Sequence, residues 1–225
     1  MKAIINNITS YLLKEEKRIR VFFIIFYTVG VFGIVIPLTR NLFFNLTPLA
    51  LLLSVTAVLI FHKPQFEIKT VILFTSIYIL TFIIETAGVK TGLIFGNYTY
   101  GNGLGIKVLD TPLLIGINWV LLVYCTAVIV ERLHSSTLIK PVLSSLLMVL
   151  YDVIMEQIAP QLDMWDFKGD TVPLRNYIAW FILALLFHSI LKIAGIQTIN
   201  RLAPFIFYCQ TIFFIALMIF FKLVQ

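Results

Sequence analysis

The sequence predicts an all-α fold, a polytopic membrane bundle of about seven transmembrane helices with its N-terminus in the cytoplasm. Three observations predict it. Of 225 residues, 60% are hydrophobic and only 12% are charged, where a soluble domain carries roughly 25% charged residues. The apolar residues are gathered into runs rather than dispersed. Each crossing of the hydrocarbon uses about 20 residues, so seven crossings take roughly 140 and leave about 85 for loops and ends.

Residues 1–20 place Ile4, Ile5, Ile8, Tyr11 and Leu12 at helical spacing and then add Lys14, Lys17, Arg18 and Arg20. That pattern suits a segment lying along the cytoplasmic membrane surface. The run Val21–Leu38 is too long for a signal-peptide core and no small-residue cleavage site follows it, so it reads as a retained first span. Further spans are expected at Leu42–Phe61, Thr70–Ala87, Thr111–Val130, Pro141–Ala159, Tyr177–Ala194 and Ala203–Val224. The domain organisation that follows is an interfacial segment, 1–20, and a single transmembrane domain, 21–225. Cys125 and Cys209 both fall inside apolar runs, which argues for core residues rather than a disulfide or a thiolate metal site.

The net charge of +6 does not point to nucleic acid, because the basic residues are scattered among loops and concentrate only before the first span. Their distribution instead sets topology. The N-terminal segment and the even-numbered loops carry eleven Lys and Arg against six on the other side, which places the N-terminus in the cytoplasm and the protein in the cytoplasmic (inner) membrane. Two loops, Gly88–Asp110 and Pro160–Asn176, are far longer than the two to eight residues usual between packed helices. Both fall on the side opposite the N-terminus, so a site is expected there. The halves of the chain show no internal repeat of the kind found in many secondary transporters.

Acids inside membrane spans are costly and usually functional, which singles out Glu85, Asp152 and Glu156. Asp152 and Glu156 are four apart, hence on one helix face about 6 Å apart along the axis. Two carboxyls in a poorly solvated place do not both ionise cheaply, so at least one is expected to hold its proton and to serve as a general acid. The competing structural role is hydrogen bonding to neighbouring helices, or pairing with Arg175 or Lys168, to orient the fifth span. Glu85 precedes a loop rich in Gly that also carries Phe95, Tyr98 and Tyr100, and the second loop carries Trp165 and leads to Trp180. Such aromatics partition to membrane interfaces on their own account; beside buried acids their π faces also suit a cation. The glycines do not form a dinucleotide fingerprint, since no strand or βαβ unit surrounds them. His62, His134 and His188 lack metal-ligand spacing, so no metal is expected and His188 reads as a buried, hydrogen-bonded residue. No nucleophile elbow is present.

The string Glu85, Gly88, Val89, Thr91, Gly92, Phe95, Gly96, Tyr98, Tyr100, Leu104, Gly105 resembles the signature of the membrane carotenoid-biosynthesis family that includes the gamma-carotene and bisanhydrobacterioruberin hydratases. Asp152, Pro160, Trp165, Gly169, Pro173, Asn176 and Trp180 resemble its later block, and Pro112 and Trp119 fit between them. The resemblance is best over roughly residues 80–182. One departure is the spacing after the aspartate: the family has a second acid and a Pro close by, whereas here Glu156 and Pro160 are separated by Gln157, Ile158 and Ala159.

The resemblance implies addition of water to the terminal double bond of an acyclic carotenoid end group, through protonation to a tertiary carbocation. It implies a gamma-carotene or lycopene-like substrate, the bilayer and other carotenoid-pathway enzymes as partners, and no cofactor. In that scheme Asp152 is the proton donor and Glu156 or Glu85 its partner or the base. Asn176 anchors water, and Phe95, Tyr98, Tyr100, Trp119, Trp165 and Trp180 line the substrate site. A carotenoid end-group cyclase or isomerase would use the same acid but exclude water, and a proton-coupled transporter would also want intramembrane carboxylates.

Overall fold

A computed structural model describes residues 12–63, 67–169 and 171–224. Seven long helices occur among them: α1 (Glu16–Val35), α2 (Arg40–Ile60), α3 (Ile68–Thr91), α4 (Leu113–Glu131), α5 (Ile139–Glu156), α6 (Leu174–Ile193) and α7 (Ala203–Val224). Helices are what long apolar runs must form in lipid, where every backbone N–H and C=O has to be satisfied within the segment. All but α5 are long and apolar enough throughout to cross a bilayer. The exception holds Lys140, Asp152 and Glu156 within its 18 residues, and its acids are hidden: Asp152 is 0% and Glu156 6% exposed.

The bundle is organised around α4, of which 67% of the spanning window is buried against 17% of α2 and 22% of α1. It packs against α3, α5 and α7, and also touches α2 and α6; α5 lies along α6, and α1 along α7. Close approach of α3 and α4 is made at Gly116, whose Cα faces the ring and carbonyl of Tyr78. Hydroxyls inside the spans fold back on their own helix, as Thr81, Thr86 and Thr126 donate to the carbonyls four residues earlier. At the end of the bundle away from the long loops, Asn200 ties helices together. Its Nδ2 donates to the Val58 carbonyl while its Oδ1 accepts from the backbone of Leu202 and Ala203 at the start of α7.

The expected spans all appear as helices, with shifted ends. Helix α1 begins at Glu16, so the last residues of the expected interfacial segment continue into the first span; residues 1–11 lie outside the described residues. Helix α3 runs on to Thr91, so Gly88, Val89 and Lys90 are helical rather than looped, and the helix stops where Gly92 takes φ +65°. The fifth helix ends at Glu156, before Ala159, because Pro160 opens a 3-10 turn that closes on Asp163 in the left-handed region. The fourth begins at Leu113 because Thr111–Pro112 pair antiparallel with Lys107–Val108, and α6 begins three residues early, directly after Pro173.

The two long loops are not independent. Strand β1 (Tyr98–Tyr100) pairs antiparallel with β4 (Trp165–Phe167), with Tyr100 opposite Trp165 and Tyr98 opposite Phe167; β2 and β3 are Lys107–Val108 and Thr111–Pro112. Backbone bonds from Gly101 to Met164 and from Gly103 to Asp163 extend the junction. The ribbon forms one lid over the ends of α3, α4, α5 and α6.

Candidate active site

The alternation Tyr-Thr-Tyr in β1 and Trp-Asp-Phe in β4 points the aromatics inward and leaves Thr99 and Asp166 outside. Beneath them lie the three acids predicted from the sequence. Glu85, on α3, accepts at Oε2 from the hydroxyls of Tyr98 (2.7 Å) and Tyr100 (2.9 Å), and at Oε1 from the indole of Trp119 on α4 (2.9 Å). Burial, followed by the charge of Glu85, holds the Tyr98 and Tyr100 phenols well above their ordinary titration range. Both therefore remain donors.

Glu156, on α5, accepts at Oε2 from the Trp165 indole (2.8 Å) and at Oε1 from the Asn176 amide on α6 (3.1 Å). The same Asn176 nitrogen donates to Asp152 Oδ2 at 3.2 Å. Asp152 Oδ1 is buried and has no hydrogen-bond partner. The acids thus form a graded series. Glu85 is saturated by three donors, Glu156 has two, and Asp152 has one donor shared with its neighbour.

No salt bridge among the described residues reaches these acids. The anticipated partners Arg175 and Lys168 are exposed, so neutral indole, phenol and amide groups serve in place of cations.

Between Glu85, Glu156 and Asn176 is a cavity of about 10 Å³, walled by Phe95, Tyr98, Tyr100, Trp165 and Trp180. That is room for about one water molecule, with polar partners to hold it. Of the residues singled out from the sequence, Asp152 and Trp119 do not line this space. Trp119 is fully buried, stacked on Trp180 with ring centroids 4.2 Å apart, so it braces the wall and anchors Glu85. The aromatics therefore do two jobs, since four of them spend a polar hydrogen on a carboxylate as well as presenting a ring. His188 is buried and hydrogen-bonded as expected, with Nδ1 donating to the Ala184 carbonyl at 2.7 Å and Nε2 2.9 Å from the Thr126 hydroxyl.

A second, larger cavity of about 430 Å³ was not foreseen from the sequence. Its walls come from α1, α2 and α7, from Leu104 and Met164 of the lid, and from Asn118, Tyr151 and Met155. The last three immediately precede Trp119, Asp152 and Glu156 in the chain. On α5, at 100° per residue, Tyr151 and Met155 occupy one face and Asp152 and Glu156 the next. The two cavities therefore stand on adjoining sides of the same helix. The signal for the larger one was present only as scattered polar residues, Asn118 and Gln210, within apolar runs.

The sequence profile of the family described as carotenoid biosynthesis protein matches residues 46–225. The chain belongs to this family. Its role accordingly lies in carotenoid biosynthesis, and its apolar helices make it an integral membrane protein. The match runs from within α2 to the last residue, well beyond the stretch in which the resemblance was read, and includes both loops and all three acids. No curated protein and no solved structure matches the chain.

Proposed function

We propose that this carotenoid biosynthesis protein is a hydratase that adds water to the terminal trisubstituted double bond of an acyclic carotenoid end group. The observation that carries the reading is the water-sized cavity between Glu85, Glu156 and Asn176, beside the incompletely bonded Asp152. A cyclase would want that space dry. Asp152 gives its proton to the alkene, leaving a tertiary carbocation; the cavity water bonds to the cation and releases a proton to Glu156. The proton returns to Asp152 within the pair bridged by Asn176, so the sum is alkene plus water to tertiary alcohol. Glu85, held by three donors, lines the cavity together with Glu156, and the rings of Tyr98, Tyr100 and Trp165 that wall it offer π faces to the cation. The apolar chain comes sideways from the bilayer. With the N-terminus in the cytoplasm of a cell whose inner membrane holds the protein, this chemistry sits at the outer end of the bundle.

The test is isotopic. Membranes containing the protein, given a lycopene-like or gamma-carotene substrate in water labelled with heavy oxygen and deuterium, are expected to yield product with both labels. Oxygen drawn from O2 makes the protein a hydroxylase, and an isomeric product without oxygen makes it a cyclase or isomerase; either result overturns the proposal.

A further inference from the structure

The larger cavity differs from the acid site in character. It is almost wholly apolar, and its outer rim is formed by Phe22, Ile25 and Val29 of α1 and Leu46 of α2, all exposed on the lipid-facing side of the bundle. Its volume, about 430 Å³, falls within the range of small-molecule sites. A cavity open to lipid between two helices and walled by hydrocarbon is suited to an isoprenoid chain.

One feature is out of keeping with a hydrocarbon ligand. Gln210, in the middle of an apolar helix and only 6% exposed, lines the cavity, and its Oε1 has no hydrogen-bond partner. A buried amide oxygen without a donor is unfavourable, and polar side chains inside membrane spans generally mark a binding or transport function. The Gln210 side chain does hydrogen-bond the Tyr27 hydroxyl, itself engaged with Ser54 Oγ at 2.7 Å, but this contact leaves Oε1 without a donor. What Gln210 lacks is a donor, which a carbonyl or an alkene cannot supply and an alcohol can.

We infer that this cavity binds the hydroxylated end of an acyclic isoprenoid, with the ligand O–H donating to Gln210 Oε1 and the chain running out between α1 and α2 into the bilayer. The inference rests on the hydratase reading for the origin of the alcohol. The reaction creates an O–H group, and the larger cavity holds a buried acceptor without a donor in otherwise apolar walls. The cavity is then the site where product is held before it leaves.

The experiment is a binding comparison on the full chain in lipid nanodiscs, following quenching of tryptophan fluorescence. The probes are an acyclic carotenoid hydrocarbon and the same carotenoid bearing a tertiary hydroxyl at one end. Wild type is expected to bind the alcohol roughly three- to tenfold more tightly, the worth of one neutral hydrogen bond. Gln210→Met, which preserves length without the acceptor, is expected to bind both equally, and Ala50→Trp, which fills the cavity, to bind neither well. Equal affinities in wild type overturn the inference without recourse to any variant, as does a preference that survives Gln210→Met. Because binding is read without turnover, the two proposals fail separately. Label incorporation without a preference removes this site and leaves the hydratase, whereas a preference without label incorporation does the reverse.

Discussion

Asn176 on α6 donates to Asp152 Oδ2 at 3.2 Å, while the other oxygen of that carboxyl has no partner. A buried acid held on one side and free on the other is positioned with one oxygen open to carry and deliver a proton, as a proton donor requires. Asp152→Asn is expected to lower hydration about 10²–10⁴-fold while the protein still accumulates in membranes. Pigment analysis of a carotenoid-producing host, normalised to protein, measures it; wild-type conversion would remove Asp152 from the mechanism.

Asn176 serves two carboxyls at once, so its loss is expected to cost more than one hydrogen bond. Asn176→Leu should destabilise the protein by about 1–3 kcal/mol, read as a fall of several degrees in Tm in detergent, and should depress activity as well. Asn176→Asp, which brings a third acid against Asp152 and Glu156, should be worse. A melting temperature unchanged in both variants would show that the bridge contributes nothing.

Tyr98 and Tyr100 bond to the same oxygen of Glu85. Tyr98→Phe and Tyr100→Phe should each cost about 1.5–3 kcal/mol, as hydrogen bonds to charged groups do. Because they share an acceptor, the double variant should depart from the sum of the singles by 0.5 kcal/mol or more, within the usual range of coupling. A double-mutant cycle in unfolding free energy decides it, and strict additivity would argue against a shared site.

At Gly116 helix propensity and packing oppose each other. Ala is favoured over Gly in a helix by about 1 kcal/mol, but a Cβ there would stand 2.7 Å from Tyr78 Cδ2 and 2.9 Å from the Tyr78 carbonyl oxygen. The backbone oxygen cannot swing aside. Gly116→Ala is therefore expected to destabilise the α3–α4 contact by about 1–3 kcal/mol, and a raised Tm would contradict the packing described.

The charge distribution gives the orientation a direct test. Lys168→Cys, on the lid side, should react with a membrane-impermeant thiol reagent applied to intact cells, and His134→Cys, at the opposite end, only after permeabilisation. The reverse pattern would invert the protein in the membrane and place the acids on the cytoplasmic side.

Several parts of the site were legible in the chain because lipid leaves few alternatives. A carboxylate within an apolar run has nowhere to hide except the bundle interior, so Glu85, Asp152 and Glu156 stood out by position alone. The four-residue spacing of the last two fixed their common face. Harder to read were the partners. Pairing with Arg175 or Lys168 was as consistent with the sequence as donation from Trp119, Trp165 and Asn176, because contacts between α4, the lid and α6 depend on how the helices are arranged around α4. The β1–β4 pairing has a faint trace in the alternation of Tyr98–Tyr100 and Trp165–Phe167, but three residues are too few to signal a strand, and their register is set by loops 65 residues apart.

The sequence by itself determined that the protein is a helical membrane bundle, how many long helices its described residues form, which acids it buries and that its two elaborate loops share one end. Hydrophobicity dictates these, being a property of each segment alone. Only the tertiary structure decided that the two loops close as one lid and that neutral donors rather than cations hold the acids. It also decided that a water-sized cavity and a lipid-facing cavity take their walls from neighbouring faces of α5. Those features arise where side chains from different helices meet, and the geometry of such meetings comes from packing, which no single segment encodes.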